Sequence, residues 1–309
     1  MQKRKKITTI GGGTGQYMLL RGLKKYDIEL TAVVSMVDDG GSSGKLRDEF
    51  GVLPPGDLRR CLVALSRESK VLRKLFEYRL GEDCVGNIII ASLEEIVGKE
   101  NYIQEAARIL NTFGQVLPIT VNPAVLYAQT DNNRQLNGQL EVSYNVVKEE
   151  RIKRIWLEPQ ALIFPQTAQA IKDSDLIVIS PGDLYGSILP NFLVKGVREA
   201  IHNSKAQIVY VCNLVTKQGT YNFKASDFIG EIEKYLERKI DYIILNSKEP
   251  TKRVVDKYKG EESLFVETDV ENLGKKIIKD NLLVEFESNG KIIARHNPAL
   301  TAKLIMELA

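Results

Sequence analysis

The chain has 309 residues, 43% apolar and 27% charged, with a formal net charge of +3. That is the composition of an ordinary soluble globule with enough chain for a large core. The small charge argues against nucleic acid as a partner. No apolar run reaches the ~18 residues of a membrane span, and the N-terminal stretch lacks a signal peptide's apolar region, so we expect a cytoplasmic protein without membrane insertion. Cys61, Cys84 and Cys212 lie far apart, and no Cys/His spacing suits zinc. They read as reduced, buried side chains.

Short β-branched runs alternate with helical patterns, which predicts βα units feeding a mostly parallel sheet. The predicted strands begin with Ile7–Ile10 and Thr31–Val37. Between them Met18, Leu19, Leu20, Leu23 and Tyr26 mark a helix. Further helices are predicted near Asp57–Ser66, Val71–Tyr78, Asn87–Val97 and Tyr102–Leu110. The middle reads as β-rich: Gln115–Thr120, Val125–Gln129, Gln139–Val146 and Ile152–Leu157 are strand-like, and "TDNNRQLNG" supplies turn residues. Alternation then resumes with Leu176–Ser180, Gln207–Cys212 and Asp241–Asn246. Strands near Leu282–Phe286 and Ile292–Arg295 and a helix from Pro298 close the chain. The expectation is one Rossmann-like α/β domain over 1–309, its mostly parallel sheet flanked by helices, with a small β-rich insertion at about 115–158.

In such a sheet, ligands bind beyond the carboxyl ends of the strands. Four predicted loops there are unusual. "GGGTG" at Gly11–Gly15 joins a strand to a helix, so Gly12, Gly13, Thr14 and Gly15 can bring backbone N–H groups to a phosphate. The dinucleotide fingerprint fails, because Gln16 stands where the third glycine belongs. "DDGGSSGKLRDE" offers Asp38 and Asp39 for a ribose hydroxyl or a magnesium ion, Gly41 and Ser42 as donors, and Lys45 and Arg47 as charge. "GGSSGKL" is not a Walker loop: its glycine spacing is short, and Leu46 replaces the hydroxyl. "LPPGDLRRCLVALS" places Asp57 as a helix cap and Arg59 and Arg60 in a first helical turn, where positive charge opposes the dipole unless an anion is near. "SPGDLYGSILPN" contributes Gly182, Asp183 and Ser187, with Tyr185 able to stack on a base and Asn191 opening a helix. "VCNLVTKQG" adds Asn213 and Thr216 at the next strand end.

Taken together, "GGGTGQYMLLRGLKKY", "VVSMVDDGGSSGKLRDEFGVLPPGDLRRCLVALS", "GNIIIASLEEIVG", "SPGDLYGSILPN" and "VYVCNLVT" resemble the bacterial gluconeogenesis-factor family (YvcK-like), itself related to the CofD-like 2-phospho-L-lactate transferases. The resemblance runs from about Ile7 to Thr216 and more thinly through "ARHNPALTAKLI". It implies a nucleotide cleft that holds a UDP-sugar such as UDP-N-acetylglucosamine, and a role in growth and cell shape on gluconeogenic carbon. A regulatory protein partner and self-association are both compatible with it. It carries nucleotide contacts to Gly12, Gly13, Thr14, Asp38, Asp39, Asn87, Gly182, Leu184 and Asn213. The sequence departs from the family's strings at Asp83, where a histidine is expected, and at Asp183, in place of a small hydroxyl. "VTKQGTY" and "GQL" at Gly138–Leu140 depart as well.

The leading expectation is a binding protein with no catalytic residues and no required cofactor, a nucleotide-sugar sensor. The alternative is a transferase that uses a nucleotide diphosphate donor, with magnesium on Asp38 or Asp39 and Arg59 or Lys45 stabilising phosphate charge. Neither histidine lies in a candidate loop, though His296 in "RHNP" can reach the cleft. A nicotinamide-dependent oxidoreductase suffers from the missing glycine.

Overall fold

A computed structural model describes residues 3–270, 276–288 and 290–309. Seven parallel strands form the central sheet, in the spatial order Lys276–Asp280, Tyr242–Asn246, Gln207–Val211, Leu176–Ile179, Lys6–Gly11, Glu29–Val34, Gln115–Pro118. The four residues of Leu176–Ile179 are all buried. A strand apolar at every position must be covered on both faces, which is why this sheet is parallel and sheathed in helices. The Rossmann-like α/β class expected from the alternation is the one observed.

The order reverses between the first strand and Leu176–Ile179: the chain first grows outward through Glu29–Val34 and Gln115–Pro118, then returns to the other side. Such a reversal leaves a crevice at the carboxyl edge, because the two loops beside it lead away from each other. The helix Gly13–Leu23 starts there and packs against the C-terminal helix Pro298–Met306. Gly22 makes the crossing close, since a Cβ on it would lie 2.0 Å from the Pro298 carbonyl oxygen.

Three differences from the expected elements matter. Gln139–Val146 is not a strand: Gln139–Tyr144 is a helix, started by Gly138 at φ +94 and capped from outside by the Asp39 carboxylate. The β-rich insertion is therefore a three-stranded antiparallel sheet, Gln135–Asn137, Val125–Thr130 and Ile152–Glu158, with that helix inserted, while Gln115–Pro118 belongs to the central sheet. The glycine-rich stretch after Asp39 turns at Gly41 into a helix, Gly41–Phe50. Among the described residues the last predicted strands, observed as Leu283–Ser288 and Lys291–His296, pair only with each other, and Lys276–Asp280 joins the main sheet instead. No helix among the described residues is long and apolar enough to cross a membrane.

Candidate functional site

At the reversal point the chain forms a cleft of about 550 Å³, walled by all four candidate loops and, beyond them, by the C-terminal hairpin. Its floor is the N-terminus of Gly13–Leu23. Gly12 caps that helix in an extended conformation and brings no side chain of its own; the Asp57 carboxylate takes the Gly13 N–H, and the N–H groups of Thr14 and Gly15 are those left for an anion. Gly15 has no room for a side chain: a Cβ would lie 1.8 Å from the Pro181 carbonyl oxygen. The glycines here answer to close approach of two loops as well as to ligand access.

Over this helix start stands Arg60, whose guanidinium donates to the Thr14 hydroxyl at 3.1 Å. Ser35, at the exit of the second strand, lines the cleft, and its buried hydroxyl has no partner. A buried hydroxyl left unpaired in this way costs on the order of 1–3 kcal/mol, a cost a polar ligand would remove. Arg59, 8% exposed, lies deeper, donating to Asn87 Oδ1 at 2.8 Å and to the Phe76 carbonyl at 3.3 Å. Burial first of all lowers its pKa, although a guanidinium retains its proton regardless.

Two carboxylates, Asp38 and Asp57, lie near enough beside the floor to influence each other. Asp57 accepts the Gly13 N–H, and a Cβ on Gly12 would fall 2.4 Å from its Oδ2. A Cβ on Gly56 would fall 2.4 Å from Asp38 Oδ2 and from Ser43 Oγ. Burial, and then the nearby Asp38 carboxylate, push Asp57 up to about 6, with Arg60 acting in the opposite direction. His296 reaches the cleft as well: its Nε2–H donates to the Cys212 carbonyl at 3.0 Å, and burial lowers its pKa to about 4. It is a neutral imidazole at physiological pH, with Nδ1 as its free acceptor.

Gly12, Gly13, Thr14, Gly15, Asp38, Gly41, Ser42, Asn87, Gly182 and Asn213 all line this cleft. Asn213 does so while holding the wall: its Nδ2 donates to the Gly182 carbonyl at 2.6 Å, and its Oδ1 accepts from Tyr210. Other candidates lie elsewhere. The Asp39 carboxylate accepts the amides of Gln139 and Leu140, each at 2.8 Å, so Asp38 and Asp39 do not form one metal-binding pair; Asp57 stands beside Asp38 instead. Leu184 is core. Tyr185 is buried with its hydroxyl on Glu231 at 3.3 Å, leaving no ring face for a base. Thr216 is buried, accepting the Leu264 amide at 2.9 Å, and Asn191 is fully buried. Lys45 pairs with Asp83 at 3.0 Å.

Sequence reasoning read Asp57 as a cap and gave no role to Lys217 or Tyr144, which also line the cleft. The two adjacent arginines against the helix dipole were the one local signal pointing to Arg60 and its neighbour Asp57. Among the described residues no cluster of three or more His, Cys, Asp or Glu is placed to hold a metal.

The fold is that of a Rossmann-like α/β protein whose cleft has a helix N-terminus at its floor. Residues 7–283 match the family model described as 2-phospho-L-lactate transferase CofD. The gluconeogenesis factor of Bacillus subtilis strain 168 is 36% identical over 322 residues, spanning 100% of this chain and 99% of that protein. The gluconeogenesis factor of Halalkalibacterium halodurans is 36% identical over 318 residues, spanning 99% and 97%. A crystal structure of a Bacillus halodurans protein superposes with a TM-score of 0.92 at 35% identity, covering 98% of this chain and all of that one. The chain belongs to the CofD-like family, together with relatives named gluconeogenesis factors.

Proposed function

We propose that this chain is a cytoplasmic regulatory protein that binds a UDP-sugar, such as UDP-N-acetylglucosamine, in the cleft, and whose occupancy supports growth and cell shape on gluconeogenic carbon. The observation that carries the reading is the convergence, at the sheet's reversal point, of a glycine-rich helix N-terminus, Arg60 bonded to Thr14, and the unpartnered Ser35 hydroxyl. Helix N–H groups and a guanidinium are the donors a diphosphate requires. The names of the relatives support the metabolic role. Isothermal titration of the purified chain with UDP-N-acetylglucosamine should give saturable binding. Arg60→Ala should weaken it by about tenfold or more, the usual effect of removing a charged hydrogen bond. No saturable binding to any UDP-sugar overturns the reading.

A second reading, a transferase acting on a nucleotide diphosphate donor, is favoured by the Asp38–Asp57 pair and by the description of the matching family model. Two nearby carboxylates, when ionised, are oxygen ligands of the kind magnesium takes. Asp38 and Asp57 would hold the ion, which would supply positive charge to phosphate oxygens, while Arg60 and the Gly12–Gly15 amides orient them. Turnover that requires magnesium and disappears in Asp57→Asn would establish this reading; binding without turnover across several donors rejects it.

A further inference from the structure

Besides Arg60 and the helix start, the cleft holds an ion pair that neither of them uses. Asp183 begins the turn Leu184–Ile188, and its Oδ1 accepts the Gly186 N–H at 3.0 Å. One oxygen completes that cap, and a serine would serve equally. The second oxygen lies 3.5 Å from Lys217 Nζ. The Lys217 backbone is pinned in its turn: its N–H donates to the Thr220 hydroxyl at 3.0 Å, and that hydroxyl donates to its carbonyl at 3.1 Å. Its ammonium also sits 5.5 Å from the centroid of the Tyr144 ring.

The ammonium is therefore fixed by a carboxylate, a ring and a rigid turn, and both charged side chains line the cleft. Stability alone is a weak account of such a pair: Asp183 is nearly buried, but Lys217 is half exposed, and an ion pair with an exposed partner contributes about 0–1 kcal/mol. Its chemistry is that of a neutral two-point reader, in which the carboxylate only accepts and the ammonium only donates. Two neighbouring sugar hydroxyls match it, one giving its proton to Asp183 Oδ2 and the other accepting from Lys217 Nζ. Asp183 at the same time repels any further carboxylate, which makes the pair a poor anion clamp.

We infer that Asp183 and Lys217 form the sugar-reading part of the cleft, selecting a neutral hexose attached to the nucleotide. The inference rests on the nucleotide-sugar reading above. The test compares UDP, UDP-glucose and UDP-glucuronate by titration calorimetry, using the full chain, Lys217→Met and Asp183→Ser. Serine retains the Gly186 cap, so that variant keeps the turn. In the wild type UDP-glucose should bind at least tenfold more tightly than UDP and more tightly than UDP-glucuronate. Both variants should hold UDP within about twofold of wild type yet lose the preference for the sugar. Equal affinity for UDP and UDP-glucose in the wild type, a preference that survives in both variants, or tighter binding of UDP-glucuronate overturns this inference while leaving nucleotide binding intact. No UDP binding by any of the three proteins rejects the nucleotide reading itself, and this inference with it.

Discussion

Asp57 and His296 are two titrating groups of one cleft, and folding moves them in opposite directions. Folding raises Asp57 from 3.8 to about 6. Between those values the native state binds the extra proton, so this residue's contribution to stability falls as pH rises. His296 is lowered from 6.5 to about 4. Over that range the unfolded chain binds more protons, so its contribution grows as pH rises. The two slopes oppose each other, and wild-type stability should vary little between pH 4 and 6.5 on their account. Asp57→Asn removes one slope and retains an acceptor for the Gly13 N–H. We expect the variant to be more stable than wild type at pH 7.5 by about 1–3 kcal/mol. That gain should vanish towards pH 4, and the variant's own stability should climb up to pH 6.5. Denaturant midpoints measured across pH check both signs.

At the scale of elements, the helix Gln139–Tyr144 depends on a residue 100 positions away. Asp39 accepts both of its first free amides, and Gly138 takes a left-handed conformation with its α-carbon against that carboxylate: a Cβ there would sit 2.2 Å from Asp39 Oδ2. Asp39→Ala should cost about 1–2 kcal/mol, as lost caps do. Gly138→Ala should cost at least as much, because strain at φ +94 adds to the clash. Both follow from urea unfolding, and both variants should also loosen Tyr144 and, through its ring, Lys217. Burial, together with two backbone hydrogen bonds that partly offset it, defines Asp39's environment, and the net effect is a raised pKa. The residue is structural in this fold, and its influence on ligand binding passes through the helix it caps.

The whole molecule is organised by the reversal of strand order. Because the strand Lys6–Gly11 lies inside the sheet, with Glu29–Val34 on one side and Leu176–Ile179 on the other, the walls of the cleft come from different parts of the sequence. The C-terminal segment closes the circle: His296 lines the cleft and the following helix seats on Gly13–Leu23, the helix whose N-terminus forms the floor. Gly22→Ala should therefore act beyond its own site. A methyl group 2.0 Å from the Pro298 carbonyl must separate the two helices, at about 1–3 kcal/mol for overpacking. A fall in the thermal midpoint together with weaker UDP-sugar binding would be the expected pair of effects. A lower midpoint with unchanged binding would show the two ends of the helix to be independent.

Local signals in the sequence by themselves determined the α/β class, the first and later strands, and the placing of Gly12–Gly15, Asp38, Ser42, Gly182 and Asn213 at one edge; Asn87 came from the family resemblance alone. Runs of β-branched residues, helical periodicity and glycines at strand ends are short-range features, and the strand-end rule converts them into a common location. Only the tertiary structure decided what each side chain does there. Asp38 and Asp39 are neighbours in sequence, yet one lies near Asp57 and the other caps a distant helix, because consecutive side chains in an extended loop point in different directions. The helical identity of Gln139–Tyr144 was hidden for the same reason: its alternating "QLEVSY" pattern suits a strand, and the groups that satisfy its first amides lie outside the segment. Tyr185 and Thr216 sit at the predicted edge but turn into the core. Lys217 finds Asp183, and Arg60 finds Thr14, across 34 and 46 residues. Periodicity carries no record of such pairings; they exist only once the sheet has brought its loops together.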